Sequence, residues 1–304
     1  MITLKAALEE ATAAIGRVDA HVIVAHLLGV DRSYLVANPM RVLTESEDAR
    51  IDTLVARRAI GHPVAHLVAQ REFYGRMFAI SPDVLIPRPE TETLVEAALA
   101  RLAPPASRLP ARILDLGTGS GAIAVTLACE RPGDIVVATD SNAAALAVAR
   151  GNAAALGCRV EFLEGSWFGP LAGRRFDLIL SNPPYVARGD PHLARGDLRF
   201  EPAAALTDGS GDGLASIRAV IAGAAAHLEP GGWLLIEHGY DQKDAVQSAL
   251  EAHGFRERIS IDDLAGIPRV AAGVAPSGIG SNTGCPPRGQ GQTPAPSGTG
   301  SNKR

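Results

Sequence analysis

Residues 113–124, ILDLGTGSGAIA, combine three patterns that together indicate the fold. The run 113–116 is largely apolar, as in a buried strand, and glycines follow at 117, 119 and 121. Glycine has no Cβ, so such a loop can turn tightly and bring its backbone close to a ligand. An apolar helical pattern comes next, and the unpaired N–H groups of its first turn would face the loop. The stretch predicts a strand, a ligand-binding loop and a helix.

The same alternation of strand and helix continues on both sides of this stretch. Alternation of this kind predicts an α/β fold with a parallel, doubly wound sheet covered by helices. The predicted strands contain RILDL, IVVATD, VEFLE, FDLIL and WLLIEHG, and the predicted helices contain ETETLVEAALARL, GAIAVTLACE, AAALAVARGNAAALG and LASIRAVIAGAAAHL.

The two ends of the chain differ from this central part in residue pattern and composition. Residues 1–70 contain three short amphipathic segments that each end at a glycine, and Asp19 is the predicted N-cap of the second. Short helices are stable only when packed together, which predicts a small helical domain. Residues 71–89 form a linker with a hairpin at Gly75, and 90–274 form the α/β domain. Residues 275–304 repeat APSG-x-GSN and predict a disordered tail.

Composition narrows the class of protein. The net charge of −4 argues against stable nucleic-acid binding through bulk electrostatics. No uninterrupted apolar run has the length of a membrane span, and the charged start is unlike a secretory signal. Cys129, Cys158 and Cys285 are far apart and form no metal-binding pattern, which predicts reduced thiols, no disulfide and no metal site. We expect a soluble, cytoplasmic monomer.

The glycine loop alone leaves three ligand hypotheses open. Asp140 ends the next predicted strand, where a carboxylate can accept hydrogen bonds from both hydroxyls of a ribose. Gly117, Gly119 and Ala122 also fit the relaxed dinucleotide fingerprint, and a structural turn with Asp140 as a helix cap is the third possibility. Asp115 favours S-adenosylmethionine, because a carboxylate there would face a sulfonium or an amino acid group but would repel a pyrophosphate.

A second motif, SNPPYVARGD at 181–190, follows the apolar run FDLIL. Proline fixes φ and has no N–H, so two prolines hold the backbone carbonyls after Asn182 rigidly. The Asn182 side-chain oxygen and one carbonyl can accept both hydrogens of an NH₂ group, while Tyr185 offers a flat face. The alternative is a loop terminator with a packed tyrosine. A conjugated nitrogen is a poor nucleophile, and two acceptors would stabilise the positive charge that builds up as a methyl group arrives.

A glycine-rich loop followed by Asn-Pro-Pro-Tyr resembles the class I S-adenosylmethionine-dependent N-methyltransferases, whose fold has a Rossmann-like sheet. That superfamily acts on DNA adenine, ribosomal RNA guanine or protein glutamine. The stretch VLIPRPETETLV at 84–95 resembles more specifically the peptide chain release factor N5-glutamine methyltransferases. Relatives that methylate a ribosomal protein glutamine lack its Pro-Glu-Thr-Glu run. Further similar stretches, among them GDLRFEPAAAL, DGSGDGL and EPGGWLLIEHGYDQ, extend the resemblance over residues 1–273.

The resemblance implies a role for each candidate site residue. The cofactor S-adenosyl-L-methionine would be bound through its methionine part by the glycine loop, through its ribose by Asp140, and near its adenine by Trp167. The acceptor loop, residues 182–185, would hold the glutamine amide of the Gly-Gly-Gln motif of the release factor. Glu201-Pro202 would support that loop. The N-terminal helices would recognise the rest of the release factor. The implied cofactor-binding residues are Asp115, Gly117, Thr118, Gly119, Ser120, Gly121, Asp140, Trp167 and Asn182; the catalytic residues are Asn182, Pro183, Pro184 and Tyr185, joined in substrate binding by Arg88 and Glu90.

Two residues depart from the family pattern, and three rival functions fit the chain less well. His66 and Ala69 stand where relatives usually have tyrosine and glycine, which affects the packing of the linker. A nucleic acid exocyclic-amine N-methyltransferase would need base flipping and a basic recognition domain, which the acidic chain fits poorly. A cofactor-binding sensor without turnover would not need an intact Asn-Pro-Pro-Tyr loop. A dehydrogenase is also disfavoured, because nothing resembles a hydride-transfer site.

Overall fold

The computed structural model describes residues 2–102 and 110–276. Its first part is helical, and the helices pack around a small apolar core that includes Leu4, Leu8, Val24, Leu35 and Ile51. The predicted N-terminal helical unit is therefore present, with two short helices that the sequence patterns did not indicate. The helices are α1 (Leu4–Ile15), α2 (Arg17–Leu28), α3 (Arg32–Ala37), α4 (Glu45–Ala59) and α5 (Val64–Leu67).

The ends of these helices show where local sequence decides structure. Gly29 ends α2 in the left-handed conformation, as predicted. The prediction that Asp19 is the N-cap of α2 is wrong: the helix begins at Arg17, and Ala20 N–H already donates to Gly16 C=O at 3.1 Å. Asp19 lies in the first turn instead, where its charge also complements the helix dipole. Thr44 and Glu47 form a reciprocal capping box at the start of α4.

The hairpin predicted around Gly75 is confirmed. Strands β1 (Gln70–Phe73) and β2 (Arg76–Ala79) pair antiparallel, and Gly75 has a φ of +70° in the turn between them. A short 3₁₀ helix, Pro89–Thr91, then leads into α6 (Glu92–Arg101). The predicted start of a helix near Glu90 is therefore correct to within two residues.

Ala69, where relatives usually have glycine, lies directly before this hairpin with a φ of +56°. That left-handed backbone conformation costs a residue with a Cβ roughly 1–2 kcal/mol. The side chain is exposed, so its removal costs no packing. After the greater flexibility of glycine in the unfolded chain is subtracted, we expect Ala69→Gly to raise the free energy of unfolding by about 0.5–1 kcal/mol.

Urea unfolding of the purified variant measures this effect. Ala13→Gly is the matched control, because Ala13 is exposed within α1 and its replacement should lower the free energy of unfolding by about 1 kcal/mol. An Ala69→Gly protein no more stable than the parent would show that the backbone at residue 69 is not strained.

The main sheet has seven strands: β3 (Arg112–Leu116), β4 (Ile135–Asp140), β5 (Glu161–Glu164), β6 (Phe176–Ser181), β7 (Leu228–Glu237), β8 (Arg256–Asp262) and β9 (Pro268–Val274). Their order is β5-β4-β3-β6-β7-β9-β8. The first five in this order are parallel, as the alternation of strands and helices predicts. The direction of winding reverses at β3, so a crevice opens beyond the carboxyl ends of β3 and its neighbours.

The parallel sheet that the alternation predicts extends at one edge into two strands that run antiparallel to their neighbours. Strand β9 runs antiparallel to β7 and to β8, so the sheet is mixed. Neither strand was predicted. Strand β8 has little apolar content and stays largely exposed, because it forms the edge of the sheet.

Helices cover both faces of the sheet. The remaining helices are α7 (Ala122–Glu130), α8 (Ala143–Ala155), α9 (Ala203–Leu206), α10 (Ala215–His227) and α11 (Lys243–Ala252). Ile113 belongs to an apolar cluster with residues of α6, α7 and α8, whereas its neighbour Leu114 belongs to a cluster with residues of α10 and α11. Because successive strand residues point to opposite faces, the two groups of helices lie on opposite sides of the sheet.

A disulfide joins Cys129 to Cys158, which contradicts the prediction of reduced, unpaired thiols. The two residues are 29 apart in sequence, and they meet because α7 packs beside α8 and the turn that follows α8. Sequence spacing could not show this contact. Denatured protein kept without reductant should therefore titrate as one thiol per chain rather than three, since the chain has three cysteines. A count of three would establish the reduced state.

The last turn of α4 and the residues after it contact a short 3₁₀ helix, Gly196–Phe200. Arg58 binds Asp19 through Nε at 2.6 Å and Asp197 through Nη1 at 2.8 Å. The rings of His62 and Phe200 stack with centroids 4.1 Å apart. The N-terminal helices are therefore tied directly to the segment that follows the Asn-Pro-Pro-Tyr motif.

The exact domain boundaries stay a prediction, and the predicted tail lies outside the described residues apart from its first two. Ala275 is buried, and its N–H donates to Gly232 C=O at 2.9 Å, so the packed chain extends at least that far. None of the helices in the described ranges has the length and apolar character needed to cross a membrane. Within residues 2–102 and 110–276, no three His, Cys, Asp or Glu side chains are grouped as metal ligands would be.

Candidate active site

A cleft of about 190 Å³ opens at the carboxyl ends of β3, β4 and β6. Its position is the one expected for ligands in an open α/β sheet. The two motifs singled out in the sequence meet in it. Of the predicted site residues, those lining the cleft are Gly117, Gly119, Asp140, Trp167, Asn182 and Pro184.

The glycine loop turns against the end of β4. The N–H groups of Gly117 and Thr118 both donate to Thr139 C=O, at 2.9 and 3.0 Å. Gly121 has a φ of +83°, and a Cβ there would lie 3.1 Å from Ala149 Cβ, so this glycine allows the loop to close onto α8. A Cβ on Gly119 would meet no atom within 4 Å, which leaves the cleft open on that side.

Asp140 also lines the cleft. Its Oδ2 accepts from Gly119 N–H at 2.9 Å and its Oδ1 accepts from Asn142 N–H at 2.9 Å. A carboxylate oxygen has more than one acceptor position, so both oxygens can accept further hydrogen bonds from a ligand. The carboxylate is thus positioned by the backbone and still available to the two hydroxyls of a ribose.

Trp167 adopts a left-handed backbone conformation with a φ of +47°. Its carbonyl accepts from the Thr139 hydroxyl at 3.2 Å, and its ring lies 3.6 Å from the position of a Cβ on Gly117. A bulky residue in this conformation stores backbone strain, which is found most often at ligand sites. The strained backbone places a flat indole against the glycine loop.

Asp115 does not line the cleft. Its side chain is fully buried, and Oδ2 accepts from the Thr118 hydroxyl at 2.7 Å. Burial raises the pKa of Asp115 to about 7, and the charge of Asp140 acts in the same direction. Thr118 and Ser120 are also buried. Asp115, Thr118 and Ser120 therefore stabilise the glycine loop without lining the cleft.

The acceptor loop, residues 182–185, follows β6 directly. Asn182 and Pro184 are partly exposed in the cleft, whereas Pro183 is buried. Asn182 Nδ2 donates to Thr91 Oγ1 at 3.1 Å, and the Tyr185 hydroxyl donates to Glu237 Oε1 at 3.1 Å. Burial raises the pKa of the Tyr185 hydroxyl, and the nearby Glu237 carboxylate raises it further, so Tyr185 is a donor at neutral pH.

Two residues outside the motif hold this loop in place. The Gln242 amide donates to the carbonyls of Tyr185 and Asp212, at 2.9 and 3.0 Å, and accepts from Gly239 N–H at 2.8 Å. A Cβ on Gly213 would lie only 2.1 Å from Tyr185 C=O. The loop is therefore packed against main chain and has little room to move.

Arg88 and Glu90, predicted to shape the pocket wall, do not line the cleft. Arg88 pairs with the buried carboxylate of Glu201, whose Oε2 also accepts from Ile86 N–H at 2.9 Å. This pair ties the segment before α6 to Pro202, a residue that does line the cleft. Glu90 is exposed in the first turn of the 3₁₀ helix.

Comparison with known proteins assigns this arrangement to a family. The model of the PrmC N-terminal domain matches residues 2–68, and that of the methyltransferase small domain matches residues 97–212. A release factor glutamine methyltransferase from Bordetella pertussis is 50% identical over 258 residues, which cover 84% of this chain and 94% of the relative. One from Burkholderia pseudomallei is 52% identical over 265 residues, covering 85% and 92%.

The chain belongs to the release factor glutamine methyltransferase family. The resemblance found at 84–95 and in the acceptor loop is thereby confirmed, and with it the fold class, a class I methyltransferase sheet behind N-terminal helices. A solved release factor-specific protein-(glutamine-N5) methyltransferase from Alicyclobacillus acidocaldarius is 28% identical. It covers 66% of this chain and 99% of its own, with a TM-score of 0.40.

Several residues of the site were not predicted from the sequence of this family member. Thr91, Glu237 and Gln242 lie within stretches that carried the resemblance, but they were given no role there. They become recognisable only when the strand register and the loop contacts are known. Other cleft residues that were given no role are Asp83, Val84, Leu85, Ser141, Asn142, Ala145, Gly165, Ser166, Ala204 and Ala205.

Proposed function

We propose that this protein transfers a methyl group from S-adenosyl-L-methionine to N5 of the glutamine side chain in the Gly-Gly-Gln motif of peptide chain release factors. The observation that carries the proposal is that the glycine loop and the acceptor loop line one cleft, with Gly117 and Asn182 both contributing to it. The names of the relatives, at about half identity over most of their length, support the same substrate.

The residues present fit the cofactor. Gly119 leaves open space where a Cβ would lie, Asp140 has acceptor positions left for a ribose, and Trp167 offers a flat surface near an adenine. When bound, S-adenosylmethionine supplies a methyl group activated by its positively charged sulfur. Asp115 is buried, so its effect on that charge would be electrostatic through the loop.

The acceptor loop performs the remaining chemistry. Asn182 Nδ2 is bound to Thr91, which leaves Oδ1 to accept one N–H of the glutamine amide, and a rigid carbonyl of the proline pair would accept the other. Tyr185, whose ring packs against the apolar core and does not line the cleft, would fix the end of the loop. As the N–C bond forms and the S–C bond breaks with its electron pair moving to sulfur, the acceptors stabilise the positive charge on nitrogen. The nitrogen then loses one proton to water.

A labelling experiment tests this function. The protein is incubated with S-adenosylmethionine labelled in its methyl group and with a release factor, either wild-type or with the loop glutamine replaced by alanine. Label should appear on the wild-type release factor alone. Ribosomal RNA and DNA are assayed in parallel, because label on nucleic acid would favour an exocyclic-amine methyltransferase instead. Because release factors act in translation, we expect the enzyme to act in the cytoplasm.

A further inference from the structure

A buried carboxyl group lies beside the acceptor loop. Strands β6 and β7 pair in parallel with Ser181 opposite Ile236, so the next residues, Asn182 and Glu237, lie side by side where this pairing ends. Glu237 is 1% exposed. Burying a carboxyl group is costly unless hydrogen bonds stabilise it, so its placement directly beneath the loop calls for an explanation.

Tyr185 stabilises one oxygen of this carboxyl group. Its hydroxyl donates to Glu237 Oε1 at 3.1 Å and has no other hydrogen to give. The bond therefore fixes the orientation of the last residue of the acceptor loop. The other end of the loop, Asn182, is reached by a separate route.

Thr91 contacts Asn182 at the other end of the loop. Its hydroxyl oxygen accepts from Asn182 Nδ2 at 3.1 Å, so its single hydrogen is available for another acceptor. Glu237 Oε2 is buried and, among the described residues, has no partner of ordinary hydrogen-bond geometry. The Thr91 hydroxyl lies near this carboxyl and lowers its pKa, against the larger effect of burial. Tyr185 thus binds the Glu237 carboxylate directly, and Thr91 connects Asn182 to the surroundings of the same carboxylate.

We propose that Glu237 and Thr91 are positioning residues for methyl transfer: the carboxylate orients the Thr91 hydroxyl, which holds Asn182 Nδ2 and so keeps Asn182 Oδ1 directed at the substrate amide. An asparagine amide can otherwise turn over and present NH₂, which would repel the substrate N–H instead of accepting it. The role rests on the proposed function, because it concerns how the glutamine amide is held. It explains why Thr91 and Glu237, distant in sequence, share one network.

The charge on Glu237 should make this positioning depend on pH. Burial raises the pKa of Glu237 to about 7; Glu90 acts in the same direction, and Arg269 opposes it. A raised carboxyl pKa means that the group is ionised above about pH 7 and neutral below it. Because an ionised carboxylate is the stronger acceptor, turnover should fall as the pH decreases through that value. Glu237→Gln should lower turnover and abolish this acidic step.

Variants at residue 91 test the hydroxyl itself. Thr91→Val keeps the shape but removes both the acceptor and the donor, and we expect turnover to fall by about 10- to 100-fold. The dissociation constant of S-adenosylmethionine should change less than about threefold. Thr91→Ser restores the hydroxyl and should recover most of the turnover. Equal turnover in the valine variant, or a serine variant as impaired as the valine variant, would overturn the proposal.

A measurement without substrate separates this proposal from the proposed function. The side-chain amide signals of Asn182 in a ¹H–¹⁵N spectrum are identified by their loss in Asn182→Asp. They should shift and broaden in Thr91→Val and keep their position in Thr91→Ser. Unchanged signals in Thr91→Val would overturn the positioning role. Failure of the wild-type protein to methylate a release factor would refute the proposed function instead, and the amide signals would still decide the role of Thr91.

Discussion

Asn182→Ala should reduce turnover by about two to three orders of magnitude, the cost of removing one preorganised polar group that stabilises charge in a transition state. Asn182 lines the cleft beside the glycine loop, and its side-chain oxygen is proposed to accept one hydrogen of the substrate amide. Binding of S-adenosylmethionine should weaken less, because Gly119, Asp140 and Trp167 remain in place. Methylation of a release factor gives the turnover, and calorimetric titration gives the cofactor affinity.

Gln247→Ala provides a control that also removes an amide side chain. Gln247 lies on α11, and its Nε2 donates to Ile259 C=O on the edge strand β8, away from the cleft. Its turnover should match that of the parent. If Asn182→Ala retained more than a tenth of the parent's turnover, Asn182 would have no catalytic role.

Gly213→Ala should have the second largest effect, although Gly213 does not line the cleft. A Cβ at this residue would overlap the backbone of Tyr185, 2.1 Å from its oxygen and 2.8 Å from its carbonyl carbon, and Gly213 has a φ of +65°. The main chain of the acceptor loop must therefore move. A displacement of about 1 Å can cost roughly a hundredfold in rate, and we expect a loss of that size together with a lower unfolding temperature.

Two neighbouring glycines separate the clash from the backbone strain. A Cβ on Gly209 would meet nothing within 4 Å, but its φ is +79°, so Gly209→Ala reports strain alone. A Cβ on Gly211 has the same open space without a left-handed φ, and Gly211→Ala should behave as the parent. If Gly213→Ala lost no more activity than Gly209→Ala, close packing against Tyr185 would not matter for turnover.

Features that depend on local sequence were predictable. The run 113–124 forms strand β3, the loop and helix α7, because apolar period and glycine placement act over short distances. The hairpin at Gly75 and the end of α2 at Gly29 follow from the same local rules. The meeting of Asp140 and Asn182 in one cleft follows from the parallel alternation, since successive strands end at the same edge.

Features that depend on tertiary contacts were not predictable. The disulfide between Cys129 and Cys158 requires the packing of α7 beside α8, and the antiparallel strand β9 is specified only by its pairing with β7. Glu237 resembles an ordinary acid at the end of a strand until the register with β6 brings it beside Asn182. Neither the hydrophobic periodicity nor a sequence motif indicates that Glu237 lies beside Asn182. Resemblance supplied the roles of the site residues.

The contacts of Arg58 and His62 with residues 197–200 restrict how this protein can be recombined. A graft that replaced the first 68 residues with those of a distant homologue would lose the partner of Asp197 and the ring stacked on Phe200 unless Arg58 and His62 were retained. The loop after the acceptor motif would then be released at its far end. Exchange of the N-terminal helices between members of this family should therefore succeed only when both partners of each contact are transferred together.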